Sequence, residues 1–493
     1  MSSIMGSMFS ETMSRTASTL DPPDWEDLRR HLHEAADHLL DHVRDCREGP
    51  VWREMPPEVA EELLDPITGQ GAGTGRAWEL LRQRILPYGV GNLHPRFMGW
   101  VHGAGTPGGL LAGLAEAARN ANVGGRNTGA LNLERSVIAW ARDLFGLPRG
   151  STGLLTSGTS MATVVALAAA RRAHAEWDVE EEGLGSEGAR FRLYASEATH
   201  NCVPKALRLL GFGRRALRTI PTDGGGRMRL DLLRQAIRDD TEQGLRPWAV
   251  VGNAGTVDRG VVDDLHGIAD VAADEGIWFH VDGAFGALLR LSPAYRDRVE
   301  GIHRADSLAF DYHKWLHVTY DCGCVLIRHG EAHMGAFGGR PEYLEGHEAG
   351  LAAGAPWPSD HGPELSRGFR ALKVWFLLVE HGTDALAEAI EGSVDRAQYL
   401  AERIEGEPLL ELAAPVDLNV ACFRVSPRPD EDGDDLNRAV VTELQERGIA
   451  APSTTRVGSD LVIRCCIMNH RTTHEDVDTL VDGVLSIAAE MRQ

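Results

Sequence analysis

No apolar run in this sequence approaches the roughly 18–20 residues that a membrane-spanning helix needs. The opening MSSIMGSMFSETMSRTASTL has no basic segment followed by an apolar stretch, so it does not read as a secretory signal. Basic residues are in deficit, with 50 against 72 acidic ones and a net charge of −22. That balance argues against binding nucleic acid or an anionic membrane, both of which demand a basic face. Cysteine is sparse for so long a chain: seven in 493 residues make no disulfide framework. Cys322 and Cys324 share one face of a strand, Cys465 and Cys466 face opposite ways, and none has zinc-site spacing to neighbouring histidines. His313 and His317, like His329 and His333, stand four apart, yet no HExxH glutamate joins either pair. GxxxxGK[ST] and a full GxGxxG are also missing. The expectation is a cytoplasmic protein with reduced, mostly buried thiols and no metal.

Hydrophobic residues make up 43% and charged residues 25%, ordinary globular usage that can build a sizeable core. Residues 1–20 read as a floppy leader. Leu28, Leu32, Ala35, Leu39 and Val43 then recur at helical spacing. A Gly-rich connector (66–76) and a second helix ending at Pro87 complete a first segment, taken as residues 1–94. From 95 to 375, helices alternate with short, continuously apolar strands: GLLTSGTS, RFRLYASE, RPWAVVGNAG, GIWFHVDGA, DSLAFDYH and CGCVLIR. Such runs indicate a sheet buried on both faces, an α/β unit with sites at the carboxyl ends of its strands. Within it, the Gly- and Pro-rich stretch 335–366 reads as a long loop, functional or disordered. Residues 376–493 form a smaller helix-and-strand unit containing NVACFRV and LVIRCCIMN.

Four polar motifs follow strands of the α/β unit. Asp311-Tyr312-His313-Lys314-Trp315 sets a lysine between aromatics, where desolvation favours the neutral amine that forms Schiff bases. The same lysine could instead be a surface residue lying over aromatics. Asp282, in HVDGA, is a carboxylate at a buried strand end that needs a cationic partner; a protonated pyridine nitrogen would serve, as would a simple turn cap. Thr156-Ser157-Gly158-Thr159-Ser160 leads into a long helix whose first N–H groups suit a phosphate, or form an ordinary cap. His200, in SEATH, could stack on a flat ring or be a satisfied polar residue. Together the four supply what a phosphorylated pyridine aldehyde requires.

LHPRFMGW, HVDGAFG, DYHKWLH, LSRGFRALKVWF and CIMNHRTT, in that order from about residue 25 onward, resemble the group II amino acid decarboxylases that use pyridoxal 5'-phosphate (PLP). This family includes the aromatic-L-amino-acid, glutamate and histidine decarboxylases. The resemblance implies fold type I, like aspartate aminotransferase, with a large, mostly parallel-sheet domain and a small C-terminal α+β domain. It implies decarboxylation of an L-amino acid in a homodimer with shared active sites and N-terminal helices packed across the dimer. By position, Lys314 resembles the Schiff-base lysine, Asp282 the partner of the pyridine nitrogen, Ala284 a neighbour of the ring and His200 its stacker. Gly158, Thr159 and Ser160, assisted by His313, fall where the family binds phosphate. Tyr343 is similar to a mobile-loop tyrosine that protonates the product carbon.

Some positions depart from the pattern. The family often has Asn where Asp311 stands near the phosphate, and an acid there repels phosphate unless turned away or neutralised. Thr256-Val257 replaces a common Thr-Thr near the ring. Trp100 and His102 replace the usual residues where substrate is gripped, and NANVGGRNTGALNLE is polar and Gly-rich rather than aromatic. Asn122 and Arg126 are therefore candidate pocket residues, with Arg126 open to two readings, a partner for a substrate side-chain carboxylate or a structural salt bridge to Glu134. Aromatic substrates are one possibility among several. The competing activities are an oxygen-dependent aldehyde synthase, a carbon–carbon lyase, an aminotransferase or a non-catalytic binding protein.

Overall fold

A computed structural model describes residues 19–67, 69–339 and 346–493. Within it the chain divides into two compact units, residues 1–44 with 56–87, and residues 45–55 with 88–493. In the first, the amphipathic pattern seen in the sequence forms the helix Trp25–Arg44, with Glu26 and Asp27 in its first turn where they complement the helix dipole. The helices Pro57–Glu62 and Thr74–Arg84 accompany it. His38 meets Trp78 edge-on with ring centroids 5.8 Å apart, and Arg84 pairs with Glu62 at 3.1 Å.

The second unit holds a seven-stranded sheet: β1 (Thr152–Thr156), β2 (Phe191–Ser196), β3 (Leu217–Ile220), β4 (Arg246–Asn253), β5 (Trp278–Asp282), β6 (Ser307–Asp311) and β7 (Gly323–Ile327). Their spatial order is β1-β7-β6-β5-β4-β2-β3. All pairings are parallel except those of β7, which runs antiparallel to both β1 and β6. Every residue of β5, β6 and β7 is buried, as their unbroken apolar runs require. The helix Thr159–His174 covers one face through Ala162, Val165, Ala166, Ala169 and Ala170, small side chains that allow close approach to the sheet. Buried Trp248, Trp278, Phe279 and Phe310 add about 1.5–3 kcal/mol each through removal from water. A second sheet is antiparallel, in the order β10-β11-β9-β8: β8 (Leu410–Leu412), β9 (Val420–Val425), β10 (Ser453–Val457) and β11 (Asp460–Cys466). The helix Arg370–Glu405 leads toward it and kinks at Gly382, whose φ of 70° suits glycine.

Two buried acids are satisfied by partners far away in sequence. Glu134 pairs with Arg367 at 2.7 Å, so the alternative pairing of Glu134 with Arg126 is not made. Asp263 accepts the backbone N–H groups of Met228 and Asn253 and the Asn253 amide.

Three buried histidines make stability fall in acid. Burial pushes His94 and His280 down to about 4 and His333 to about 3. Folded, they stay neutral; unfolded, they titrate near 6.5. Between about pH 6.5 and 4 the unfolded chain therefore binds the extra protons, and stability drops by up to about 1.4 kcal/mol per pH unit per histidine. Thermal melts should show a lower Tm at pH 5 than at pH 7. Equal values at the two pH values would contradict this.

Candidate active site

A cavity of about 460 Å³ opens at the carboxyl ends of β1, β2, β4, β5 and β6. Ten of the expected residues line it: Trp100, His102, Gly158, Thr159, Ser160, His200, Asp282, Ala284, His313 and Lys314. They come together because each parallel strand ends on the same edge of the sheet, delivering its polar residue to one crevice.

The phosphate-suited end is the start of the helix Thr159–His174. Gly158 provides no side-chain cap, and the Thr159 hydroxyl is buried without a partner. Asp311, at the end of β6, reaches across: its Oδ1 accepts the Thr159 N–H at 2.7 Å and its Oδ2 lies 3.0 Å from Lys314 Nζ. The acid expected to repel phosphate is thus neutralised by the neighbouring ammonium. This pairing also corrects the expectation of a neutral lysine. Burial lowers the Lys314 pKa, but attraction and hydrogen bonding from Asp311, helped by Asp282, outweigh it, and the net shift is upward. His313 sits beside them, its Nδ1 accepting the Cys322 N–H at 3.0 Å. Its proton is therefore carried on Nε2, which lies 3.8 Å from Asp311. Burial holds the His313 pKa below its ordinary value against the pull of Asp311.

Asp282 closes the other end. Its Oδ1 accepts the Ala284 N–H at 3.2 Å, and its Oδ2 accepts the Cys202 thiol at 3.4 Å. Burial, then the adjacent carboxylate, push that thiol well up, so it remains a donor. His200 is exposed at the cavity, its Nδ1 accepting the Cys202 N–H at 3.2 Å. His200, Cys202 and Asp282 bring ligand-type atoms within 4.8 Å of one another, a spacing a divalent cation could also bridge. At the mouth, rings follow one another: Trp100 to His102 at 6.1 Å, His102 to Tyr320 at 6.2 Å and Tyr320 to His313 at 4.3 Å. Trp100 is 53% exposed with a positive φ of 48°. Burial, then the Lys314 charge, lower the His102 pKa, keeping it neutral.

Other expected residues lie elsewhere. Thr256 is not among the lining residues, although Gly255 and Val257 are; its hydroxyl accepts the Val261 N–H at 3.0 Å. Asn122 spends its side-chain oxygen on the N–H groups of Gly124 and Arg367. Arg126 sets its guanidinium 5.0 Å over the Trp357 ring. Tyr343 lies outside the described residues. The sequence reading missed Asn253, Phe285 and Tyr320, which line the cavity, and Cys202, whose thiol donates to Asp282. Asn253 could have been found by the same rule as Asp282, being a polar group at the end of a buried strand, whereas Cys202 opens the helix Cys202–Leu209 and carries no strand-end signal. Tyr320, in the loop after the lysine, carries no such signal.

These residues fit PLP: an unsatisfied hydroxyl at a helix start whose own N-cap residue is a bare glycine, an amine, and a buried carboxylate at the far side. Residues 82–426 match the family model described as the pyridoxal-dependent decarboxylase conserved domain. The chain is 32% identical over 474 residues to an aromatic-L-amino-acid decarboxylase of Bacillus atrophaeus, covering 94% of this chain and 96% of that protein. It is 27% identical over 467 residues to a phenylacetaldehyde synthase of Arabidopsis thaliana, with 92% and 94% covered. The crystal structure of Oryza sativa TDC with PLP and tryptamine superposes with a TM-score of 0.87 at 26% identity, covering 96% of this chain and 100% of that one. Family, fold and chemistry agree with the resemblance read from the motifs: the chain belongs to the pyridoxal-dependent decarboxylases, fold type I enzymes that remove the carboxylate of an amino acid with PLP.

Proposed function

We propose that the substrate is an aromatic L-amino acid, released as its amine and carbon dioxide. The observation that carries this is the run of rings Trp100, His102 and Tyr320 at the mouth of the cavity that holds Lys314 and Asp282. A flat side chain gains both apolar burial and ring-edge contacts against such a wall. The Bacillus relative and the tryptamine-bound rice structure support the same class.

Lys314 would hold the cofactor and Asp282 would keep its ring nitrogen protonated. His200 and Ala284 would hold the ring. Gly158, Thr159 and Ser160, with the Nε2–H of His313, would bind the phosphate, while Thr256, its hydroxyl taken by the Val261 N–H, would serve only by shaping the β4 end of the cavity. When bound, PLP supplies the electron sink for the breaking carbon–carboxylate bond. The aromatic rim excludes water from that bond. His200, or Tyr343 from the loop, gives the proton to the carbon that loses carbon dioxide.

The enzyme works as a cytoplasmic homodimer. Leu111 and Leu114 on the helix Pro107–Arg119, and Trp375 and Val379 on the helix Arg370–Glu405 packed against it, are 41–65% exposed, an apolar surface suited to a second copy.

The test is to mix holoenzyme with each of the twenty amino acids and dopa, following carbon dioxide, amine, aldehyde and peroxide. Aromatic amines should form, with little peroxide. Turnover confined to acidic substrates would sink the aromatic reading. Aldehyde with stoichiometric peroxide would favour the chemistry of the Arabidopsis relative. A Tyr343→Phe variant should shift products toward that outcome.

A further inference from the structure

Lys314 can attack a carbonyl carbon only as a free amine, yet in this site it is an ammonium held by Asp311. We propose that Asp311 is the internal acceptor of the Lys314 proton: the buried ion pair becomes a free amine and a neutral acid, the amine condenses with the aldehyde of the incoming cofactor, the carbonyl oxygen leaves as water, and the proton stays on Asp311. This rests on reading Lys314 as the cofactor lysine.

The geometry suits the transfer. Oδ2 lies 3.0 Å from Nζ, within direct hydrogen-bond reach. Oδ1 is already committed as acceptor of the Thr159 N–H at 2.7 Å, a role the carbonyl oxygen of a neutral acid retains. The proton therefore goes to Oδ2. One Nζ–H bond breaks, its electron pair stays on nitrogen, one Oδ2–H bond forms, and the net charge is zero before and after. The acid then presents an O–H where a carboxylate would repel the phosphate at the same helix start. The transfer removes both the charge on the nucleophile and the charge facing the anion.

A bare backbone makes this approach possible. Gly323 stands in register beside Asp311 on one side and Thr156 on the other. A Cβ there would lie 2.6 Å from Asp311 Oδ1 and 2.5 Å from the Gly158 Cα. The other titratable groups facing the pair are His313 on the same loop, Asp282 from β5, Tyr320 from the following loop and His102 from the segment after Met98. Among the thiols, Cys322 and Cys324 feel Asp311, while Cys202 and Cys466 feel Lys314; burial raises all four, and they stay protonated.

The experiment measures protons exchanged as PLP binds to the cofactor-free enzyme. Calorimetry in buffers of different ionisation enthalpy, from about pH 6 to 9, compares wild type with Asp311→Asn. PLP's own titrations cancel in the difference. Asn cannot take the proton, so this variant should release one more proton per PLP bound at the low end of the range. Its affinity should climb tenfold per pH unit more steeply than wild type until its lysine has titrated. Coinciding slopes over the whole range overturn the proposal. So does an Asp311→Asn variant that keeps the wild-type circular dichroism but binds no PLP. Lys314→Ala separates the two claims: if it still gives the visible absorbance of bound PLP and the wild-type proton count, the lysine assignment itself has failed.

Discussion

Lys314→Ala will stay colourless with PLP and will lose turnover by at least about 10⁴-fold, since the nucleophile and a positioned proton carrier go together. The chain has three lysines, at 205, 314 and 373. Lys205 is exposed on the helix Cys202–Leu209, and Lys373 gives its ammonium to the Tyr320 carbonyl and to Glu116. Lys314 alone of the three lines the cavity. No neighbouring amine can stand in for it, so the loss should be complete in absorbance as well as in rate. Visible absorbance in the purified variant, or a rate within about tenfold of wild type, would show that the cofactor is held elsewhere.

Asp282→Asn should fold, bind PLP and yet lose about two to three orders of magnitude in kcat, with a far smaller change in KM. The carboxylate at the end of β5 is 4% exposed. Among the described residues its one side-chain hydrogen-bond donor is the neutral Cys202 thiol, and the ammonium it feels, that of Lys314, is paired with Asp311 instead. A buried charge of this kind is tolerable when a cation meets it, and breaking such a pair costs about 3–5 kcal/mol. Asparagine preserves the acceptor for Ala284 N–H but offers no charge to hold a pyridinium. Cofactor content by absorbance and kcat by amine release check this together. An unchanged kcat with full cofactor content would remove Asp282 from the mechanism.

Much of the fold could be read directly because burial on both faces writes itself as continuous apolar strands. Six of the seven strands of the large sheet carry that signature. β3 does not: it is four residues long, at the sheet edge, with two exposed positions. β8 and β10 are likewise short or half exposed. The site was legible for a related reason, since strand ends on one edge converge whatever joins them. Partnerships were not legible. Nothing in the spacing tells that Glu134 takes Arg367, 233 residues on, and leaves Arg126 to an aromatic face. Nor does the local sequence say that Asp311 turns back to its own lysine; desolvation alone pointed to a neutral amine, and only the fold shows the acid that reverses it.

Gly323 carries a consequence for how this site can change. The anion end belongs to β1 and the amine end to β6, two strands kept apart by β7, and they touch across a single residue without a side chain. Any substitution there wedges the two halves apart, separating the proposed phosphate-binding turn at Gly158 from the lysine proposed to bond the cofactor. The distance between the two halves is thus gauged by one missing methyl group, and neither half is free to drift without the other.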